Sequence, residues 1–198
     1  MNKIATYFDL RAKNWDDIAE PAGAKHDMMA MLAGCAPGCR VLDVGCGTGI
    51  MTQAYLDCGA TQVTAIDLSQ EMVNRARAKF TSEERVTFEC ADIIEMEGAE
   101  RFDVIVMYNM YPHVIDKMPL VEAVSRLLAP EGRFLVAHGM GKDALNAHHG
   151  NVPAEVTSTL APAKDAAVDW GGLFDIDTMC DNDLYYFFGG TKKQAFAE

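Results

Sequence analysis

The feature that most constrains this chain is the run Val41-Leu42-Asp43-Val44-Gly45-Cys46-Gly47-Thr48-Gly49. Residues 40–44 form a short apolar stretch that reads as a buried strand, and it runs directly into three glycines spaced by single residues. Glycine adopts positive φ without steric cost and leaves the main chain bare enough for a ligand to lie against it. The G-x-G-x-G spacing alone also fits an ordinary strand-to-helix turn. Its context narrows the choice. Asp67 ends the next apolar stretch, 22 residues after Gly45. An acidic side chain there can accept both ribose hydroxyls of a nucleoside cofactor.

Charge separates two cofactor readings. A dinucleotide turn has the spacing G-x-G-x-x-G and sets a helix N-terminus against a pyrophosphate. Here Ile50 stands where the third dinucleotide glycine belongs, and Asp43 precedes the first glycine by two residues. A carboxylate beside a pyrophosphate repels it, whereas one beside an ammonium and a sulfonium attracts both. The balance favours S-adenosylmethionine (SAM).

The rest of the chain alternates element types. Thr48–Cys58 reads as a helix ending at Gly59, and Gln62–Asp67 as a strand. Ser69 stands at an N-cap position, with Met72, Val73, Ala76 and Phe80 on one helical face. Arg85–Ala91, Phe102–Tyr108 and Arg133–His138 read as further strands, and a stripe from Leu120 to Leu128 as a helix stopped by Pro130 and Gly132. Beyond Gly139 the pattern predicts a helix over Pro153–Val168, then strands at Leu173–Met179 and Leu184–Gly189 joined by a turn around Asp181, Asn182 and Asp183. Near-continuous apolar strands separated by helices imply an α/β fold with a mostly parallel sheet covered on both faces.

At these residues the chain resembles the class I SAM-dependent methyltransferases, over roughly Arg40 to Gly139. VLDVGCGTG is similar to their first motif, with Asp43, Gly45, Cys46, Gly47, Thr48 and Gly49 at the cofactor. VTAIDLSQEMVNRAR resembles the second, which implies Asp67 at the ribose and Leu68 and Met72 beside the adenine. VTFECADI resembles the third, implying Asp92 at the adenine amino group and Ile93 against the ring; FDVIVMYNMYPH resembles the fourth, with Tyr108 and Asn109 near the methionine portion. The resemblance implies a Rossmann-like seven-stranded sheet of order 3-2-1-4-5-7-6 with an antiparallel last strand. It extends to small bacterial members that carry a similar Pro-His after strand four and Ala-His-Gly after strand five. One domain is expected: a helical lid over residues 1–38, a SAM-binding core over 39–139, and a substrate-side cap with the last strands over 140–198. Tyr108-Asn109-Met110-Tyr111 departs from the N/D-P-P-Y/F string of amide and nucleobase N-methyltransferases.

Composition excludes other classes. With 17 basic against 29 acidic residues and a net charge of −12, the chain lacks the clustered cations that nucleic-acid binding needs. Charges interrupt the N-terminal residues, and no apolar run reaches the length of a membrane span, so a cytoplasmic protein is expected. The six cysteines are scattered without a C-x-x-C pair and read as reduced thiols; Cys35 and Cys39 have no partner pair that would complete a zinc site.

Four of the five histidines, His113, His138, His148 and His149, follow the fourth and fifth strands, which are neighbours in the implied sheet, about 4.8 Å apart. Three readings stand for them. They are loop residues satisfied by backbone, or His113 and His138 take a proton from the acceptor or orient it, or His113, His138, His148 and His149 contribute to a metal site. On a helix His148 and His149 would point about 100° apart and could not share one site. Tyr7, Trp15, Tyr108 and Tyr111 are read either as core or as an aromatic lid over a sulfonium, and Met28, Met29 and Met31 as an apolar face near the pocket. Together these features predict methyl transfer to the O, N, S or metal-associated nucleophile of a small molecule, with S-adenosylhomocysteine as product. The rival readings are a SAM-binding protein without activity and a methyltransferase acting on protein or RNA.

Overall fold

The structure, a computed structural model, describes residues 2–18, 23–99 and 101–194. Seven strands form one sheet: β1 Arg40–Val44, β2 Gln62–Asp67, β3 Val86–Cys90, β4 Phe102–Tyr108, β5 Leu128–His138, β6 Phe174–Asp181 and β7 Tyr186–Lys192. Their order is 3-2-1-4-5-7-6, with β7 antiparallel to both of its neighbours and the other pairings parallel. The helices are α1 Lys3–Asp9, α2 Trp15–Ile18, α3 Ala24–Leu32, α4 Thr52–Asp57, α5 Gln70–Lys79, α6 Lys117–Leu127, α7 Lys142–His148 and α8 Ala163–Ala166.

Side chains alternate across a strand, and that parity sorts the core. Leu42, Val44, Ile105, Met107, Phe134 and Val136 face one side, packed with Leu120, Val121 and Val124 of α6 and with Trp170. Val41, Val104, Val106, Leu135 and Ala137 face the other, against Met29 and Ala30 of α3 and Ala54 and Tyr55 of α4. Trp170 is wholly buried, stacks on Phe134 at 4.1 Å between ring centroids, and donates its indole N–H to the Tyr111 hydroxyl at 3.3 Å.

Several boundaries differ from expectation. The helix after the glycine turn begins at Thr52, not Thr48, because residues 45–51 are used up in the turn itself. Pro153–Val168 is not one helix. Pro162 has no N–H and sits at the N-cap of the four-residue α8, while residues 153–159 turn back toward the site. Strand β5 starts at Leu128 and runs through Pro130, with an irregular register opposite Phe102–Val104 and Glu131 at φ 61°. The β6–β7 turn is closed by Asn182, whose Oδ1 accepts the N–H groups of Leu184 and Tyr185. Among the described residues no helix is long and apolar enough to cross a membrane.

Truncating Trp170 removes the largest side chain that fastens the 140–173 segment to the sheet. Trp170→Ala is expected to cost about 3–5 kcal/mol of unfolding free energy, read from urea denaturation; a loss within about 1 kcal/mol would show that this cluster does not anchor the segment.

Candidate active site

The C-terminal ends of β1, β2 and β4 open into a cavity of about 640 Å3, within the roughly 300–1,000 Å3 typical of small-molecule sites. Its floor is the turn after β1. Gly45 and Gly47 lie at φ +71° and +53°, and a Cβ on Gly45 would stand 2.7 Å from Cβ of Met110. The N–H groups of Gly45 and Cys46 donate to the Ile66 carbonyl at 2.8 and 2.9 Å, and Gly47 N–H donates to Asp67 Oδ2 at 2.9 Å. Asp67 Oδ1 accepts Ser69 N–H at 2.8 Å. A carboxylate offers about four lone-pair sites, so Asp67 retains acceptors for further donors. Burial, reinforced by the nearby Asp9 charge, raises its carboxyl above the ordinary range despite these bonds.

Of the residues predicted to hold a nucleoside, Gly45, Cys46, Gly47, Thr48, Asp67, Leu68, Met72, Asp92, Ile93, Tyr108 and Asn109 all line this one cavity. Asp92 is oriented as an N-cap, accepting Ile94 N–H at 3.0 Å. Asn109 adopts φ 56° and accepts Gly139 N–H at 3.0 Å, tying the ends of β4 and β5 together. Two predicted residues stand apart. Gly49 lies off the cavity, where a Cβ would press on Phe80 at 3.1 Å. Asp43, expected at the ammonium, does not line it either. Strand parity turns Asp43 toward α4, where Oδ1 accepts the Tyr55 hydroxyl at 3.2 Å and Oδ2 has no partner among the described residues. Burial, opposed by the Tyr55 bond and augmented by Asp67, pushes its carboxyl up to about 7. The Asp67 charge opposes ionisation of buried Asp43, so a positive charge at this edge of the sheet would favour the ionised form of both.

The N-terminal segment lies over the cavity. Ile4, Phe8 and Trp15 line it. Asp9 accepts the Ser69 hydroxyl at 2.6 Å and Glu71 N–H at 3.1 Å at the start of α5, and Asp16 accepts from Thr48 at 2.6 Å and Lys79 at 2.7 Å. Phe8 and Trp15 belong to the N-terminal segment expected over the ligand edge; Ile4 was missed by the sequence reading, although its i,i+4 spacing to Phe8 puts both on one helical face. Trp15 and Tyr108 line the cavity, but Tyr111 packs with Trp170 in the core and Tyr7 is not among the lining residues. Met29 is core, and Met28 and Met31 lie away from the cavity.

The histidines divide. His113 lines the far end of the cavity and its Nδ1 meets the Val156 carbonyl at 2.9 Å. A carbonyl only accepts, so Nδ1 carries the proton and Nε2 presents a lone pair. Burial, with His149 and Lys117 nearby, lowers its pKa to about 4. His138 does not reach the cavity, contrary to expectation. It shares the parity of Phe134 and Val136, lies against Tyr186, and is wholly buried with neither ring nitrogen partnered among the described residues. Burial, with His113 next, takes its pKa to about 3. His148 and His149 both line the cavity; the helical separation does not apply to them, because α7 ends at His148 and His149 opens a tighter turn. Among the described residues no three His, Cys, Asp or Glu side chains are placed to hold one metal ion.

Residues 41–132 match the family model for a methyltransferase domain. The Ubiquinone biosynthesis O-methyltransferase of Xanthomonas campestris pv. campestris (strain B100) is 36% identical over 104 residues, covering 51% of this chain and 43% of that protein. The protein of the same name from Bradyrhizobium sp. (strain ORS 278) is 32% identical over 138 residues, covering 68% and 53%. This chain thus spans about half the length of the curated relatives it matches. The crystal structure of N-methyltransferase NodS from Bradyrhizobium japonicum WM9 in complex with S-adenosyl-L-homocysteine superposes with a TM-score of 0.76, covering 98% of this chain and all of that one at 15% identity, a likeness of fold. Residues 41–132 are thus a methyltransferase domain, in a fold shared with that N-methyltransferase.

The raised carboxyl of Asp43 sets a testable sign. A group whose folded pKa lies above its unfolded value destabilises the protein progressively as pH rises from the unfolded pKa to the folded one. Asp43→Asn removes that penalty, so it is expected to stabilise the ligand-free protein by roughly 2–4 kcal/mol at pH 8 and by less at pH 5. Urea denaturation at the two pH values checks this; equal or lower stability at pH 8 would show that the carboxyl is not held out of water as described.

Proposed function

We propose that the chain transfers the methyl group of SAM to a hydroxyl of a small molecule, leaving S-adenosylhomocysteine. The observation that carries this reading is one continuous cavity, with the bare Gly45–Thr48 turn and Asp67 at one end and His113 and His149 at the other. Bound SAM supplies a methyl group already activated on a sulfonium, so the protein has only to position the acceptor, exclude water and receive a proton.

The residues present fit that ligand. The spare lone pairs of Asp67 would accept the ribose hydroxyls. Leu68, Met72 and Ile93 would pack on the adenine, and Asp92 would accept from its amino group. Tyr108 and Asn109 would flank the methionine portion, while Asp43 would act through its field from behind Val44. Trp15 and Phe8, held down through Asp16 and Asp9, would close the site against water. At the far end, Ile4, Phe8, Ile115 and Leu145 offer apolar walls to the body of an acceptor.

His113 Nε2 would take the hydroxyl proton. Its low pKa keeps the imidazole neutral at pH 7. A base this weak is enough, because the hydroxyl proton becomes strongly acidic as the oxygen gains its new bond. The curated relatives carry the name O-methyltransferase, which supports oxygen as the receiving atom.

The direct test is release of S-adenosylhomocysteine across a panel of small hydroxyl, thiol and amine acceptors. Turnover with hydroxyl compounds is expected, and SAM binding without turnover on any acceptor would overturn the reading. Asp67→Ala is expected to weaken SAM binding by about 10- to 100-fold in calorimetry, from the loss of one or two charge-assisted hydrogen bonds of ~1.5–3 kcal/mol. His113→Ala is expected to lower kcat by about 10²–10⁴-fold with SAM affinity retained. In the wild type the acid limb of kcat/KM, which reports the proton acceptor, is expected near pH 4, not near 6.5.

A further inference from the structure

The far end of the cavity holds three imidazoles in series. The rings of His113 and His149 are 5.1 Å apart and those of His149 and His148 are 5.7 Å apart, centroid to centroid. The row ends at the surface: His113 and His149 are half-buried and His148 is exposed. One strap indexes the first two rings. Val156 holds Nδ1 of His113 at 2.9 Å through its carbonyl, and its neighbour Thr157 holds Nδ1 of His149 at 3.3 Å through its hydroxyl. The strap is fixed to the turn carrying His113, since Ser158 donates its N–H and its hydroxyl to the Pro112 carbonyl at 2.8 and 3.0 Å.

The surroundings of His113 leave one direction for a proton. Phe8 covers the ring edge-on at 4.9 Å. Nδ1 is committed to a carbonyl that cannot take a proton onward. The Lys117 ammonium, which donates to the Tyr111 and Val114 carbonyls, opposes a lasting positive charge on His113, as does any charge on His149, so only one of the two rings holds the proton at a time. His149 is the titratable ring packed against it, and burial depresses the basicity of His149 less than that of His113.

We propose that His113, His149 and His148 form a proton exit path, in which His149 is a further catalytic residue lining the acceptor cavity. The proton leaves the acceptor's oxygen as that oxygen gains the methyl group, and the O–H electron pair stays on oxygen. Nε2 of His113 receives the proton and passes it to His149, and His148 hands it to solvent. Each imidazole ends neutral, so one proton moves and no other bond changes. The Thr157 hydroxyl suits this role because it either donates to Nδ1 of His149 or accepts from it, and so supports both tautomers. The direction follows from solvation: a cation is stabilised more at each step toward water.

This rests on the methyl-transfer reading, and the test separates the two. Turnover of SAM with the best hydroxyl acceptor is measured for wild type, His149→Ala and Thr157→Val, with SAM binding followed in parallel by calorimetry. His149→Ala is expected to lower kcat about tenfold at unchanged SAM affinity, and added free imidazole is expected to restore the rate in a saturable way. Thr157→Val is expected to show a smaller fall, unaffected by imidazole because the ring is still present. Wild-type turnover with an undiminished His149→Ala rate, or a loss that imidazole fails to restore in a variant that still binds SAM, overturns the path. No turnover by wild type at all overturns the methyl-transfer reading and the path with it.

Discussion

The hydrogen bond from Gly47 N–H to Asp67 makes the end of β2 the template for the turn that follows β1. The bonds from Gly45 and Cys46 to the Ile66 carbonyl act in the same direction. Without these three contacts the turn would be a flexible glycine loop carrying the full entropy cost of ordering on ligand binding. With them, the bare backbone is already folded into a cradle, and the carboxylate that would meet the ribose is aligned by the loop it shapes. The lid depends on the same frame. Asp9 binds at the N-terminus of α5, which follows Asp67 directly, and Asp16 binds Thr48 within the turn itself. Cradle, acid and cover are therefore one connected unit.

The strand-and-helix alternation was legible because the central strands β1, β4 and the second half of β5 are buried on both faces, and such runs stand out in sequence. The gathering of the expected nucleoside residues in one cavity was legible for a related reason: they sit immediately after strand ends, so finding β1, β2, β3 and β4 also locates Gly45, Asp67, Asp92 and Asn109. Strand parity was the signal left unused. Counting alternate residues along β5 from Phe134 puts His138 with the core face, and counting along β1 from Val41 turns Asp43 toward α4. Both residues stand at strand ends near the ligand edge, yet their side chains leave the rim.

The acceptor end was less legible because it is assembled from long-range contacts between short elements. The strap at 153–158 reads as weakly helical, and only its bonds to Pro112 and His113 fix it as a turn. That His148 and His149 share the cavity likewise depends on α7 ending at His148, a stop that Gly150 just past the C-cap marks only weakly in sequence. Asp9 and Asp16 look like ordinary surface acids in sequence, because their partners lie some 60 residues away or on a different element. Contacts of this kind carry no local periodicity, so propensity and spacing do not reveal them.

The electrostatics of the two ends are opposite in kind, and this bears on how the site works. At the glycine-turn end, burial raises the carboxyls of both Asp43 and Asp67, with the Asp67 charge adding to the first and Asp9 to the second, which costs stability in the ligand-free protein. A cationic ligand relieves that repulsion when it arrives, so part of its affinity is strain already present in the fold. At the acceptor end, burial and neighbouring cationic groups keep His113 and His138 neutral. A positive charge is therefore favoured at the nucleoside side and disfavoured at the acceptor side. That gradient would draw a cationic ligand into the cradle, and it would push a proton released at the far end outward, away from the sheet. The same buried charges that lower the stability of the empty protein thus give the cavity its polarity.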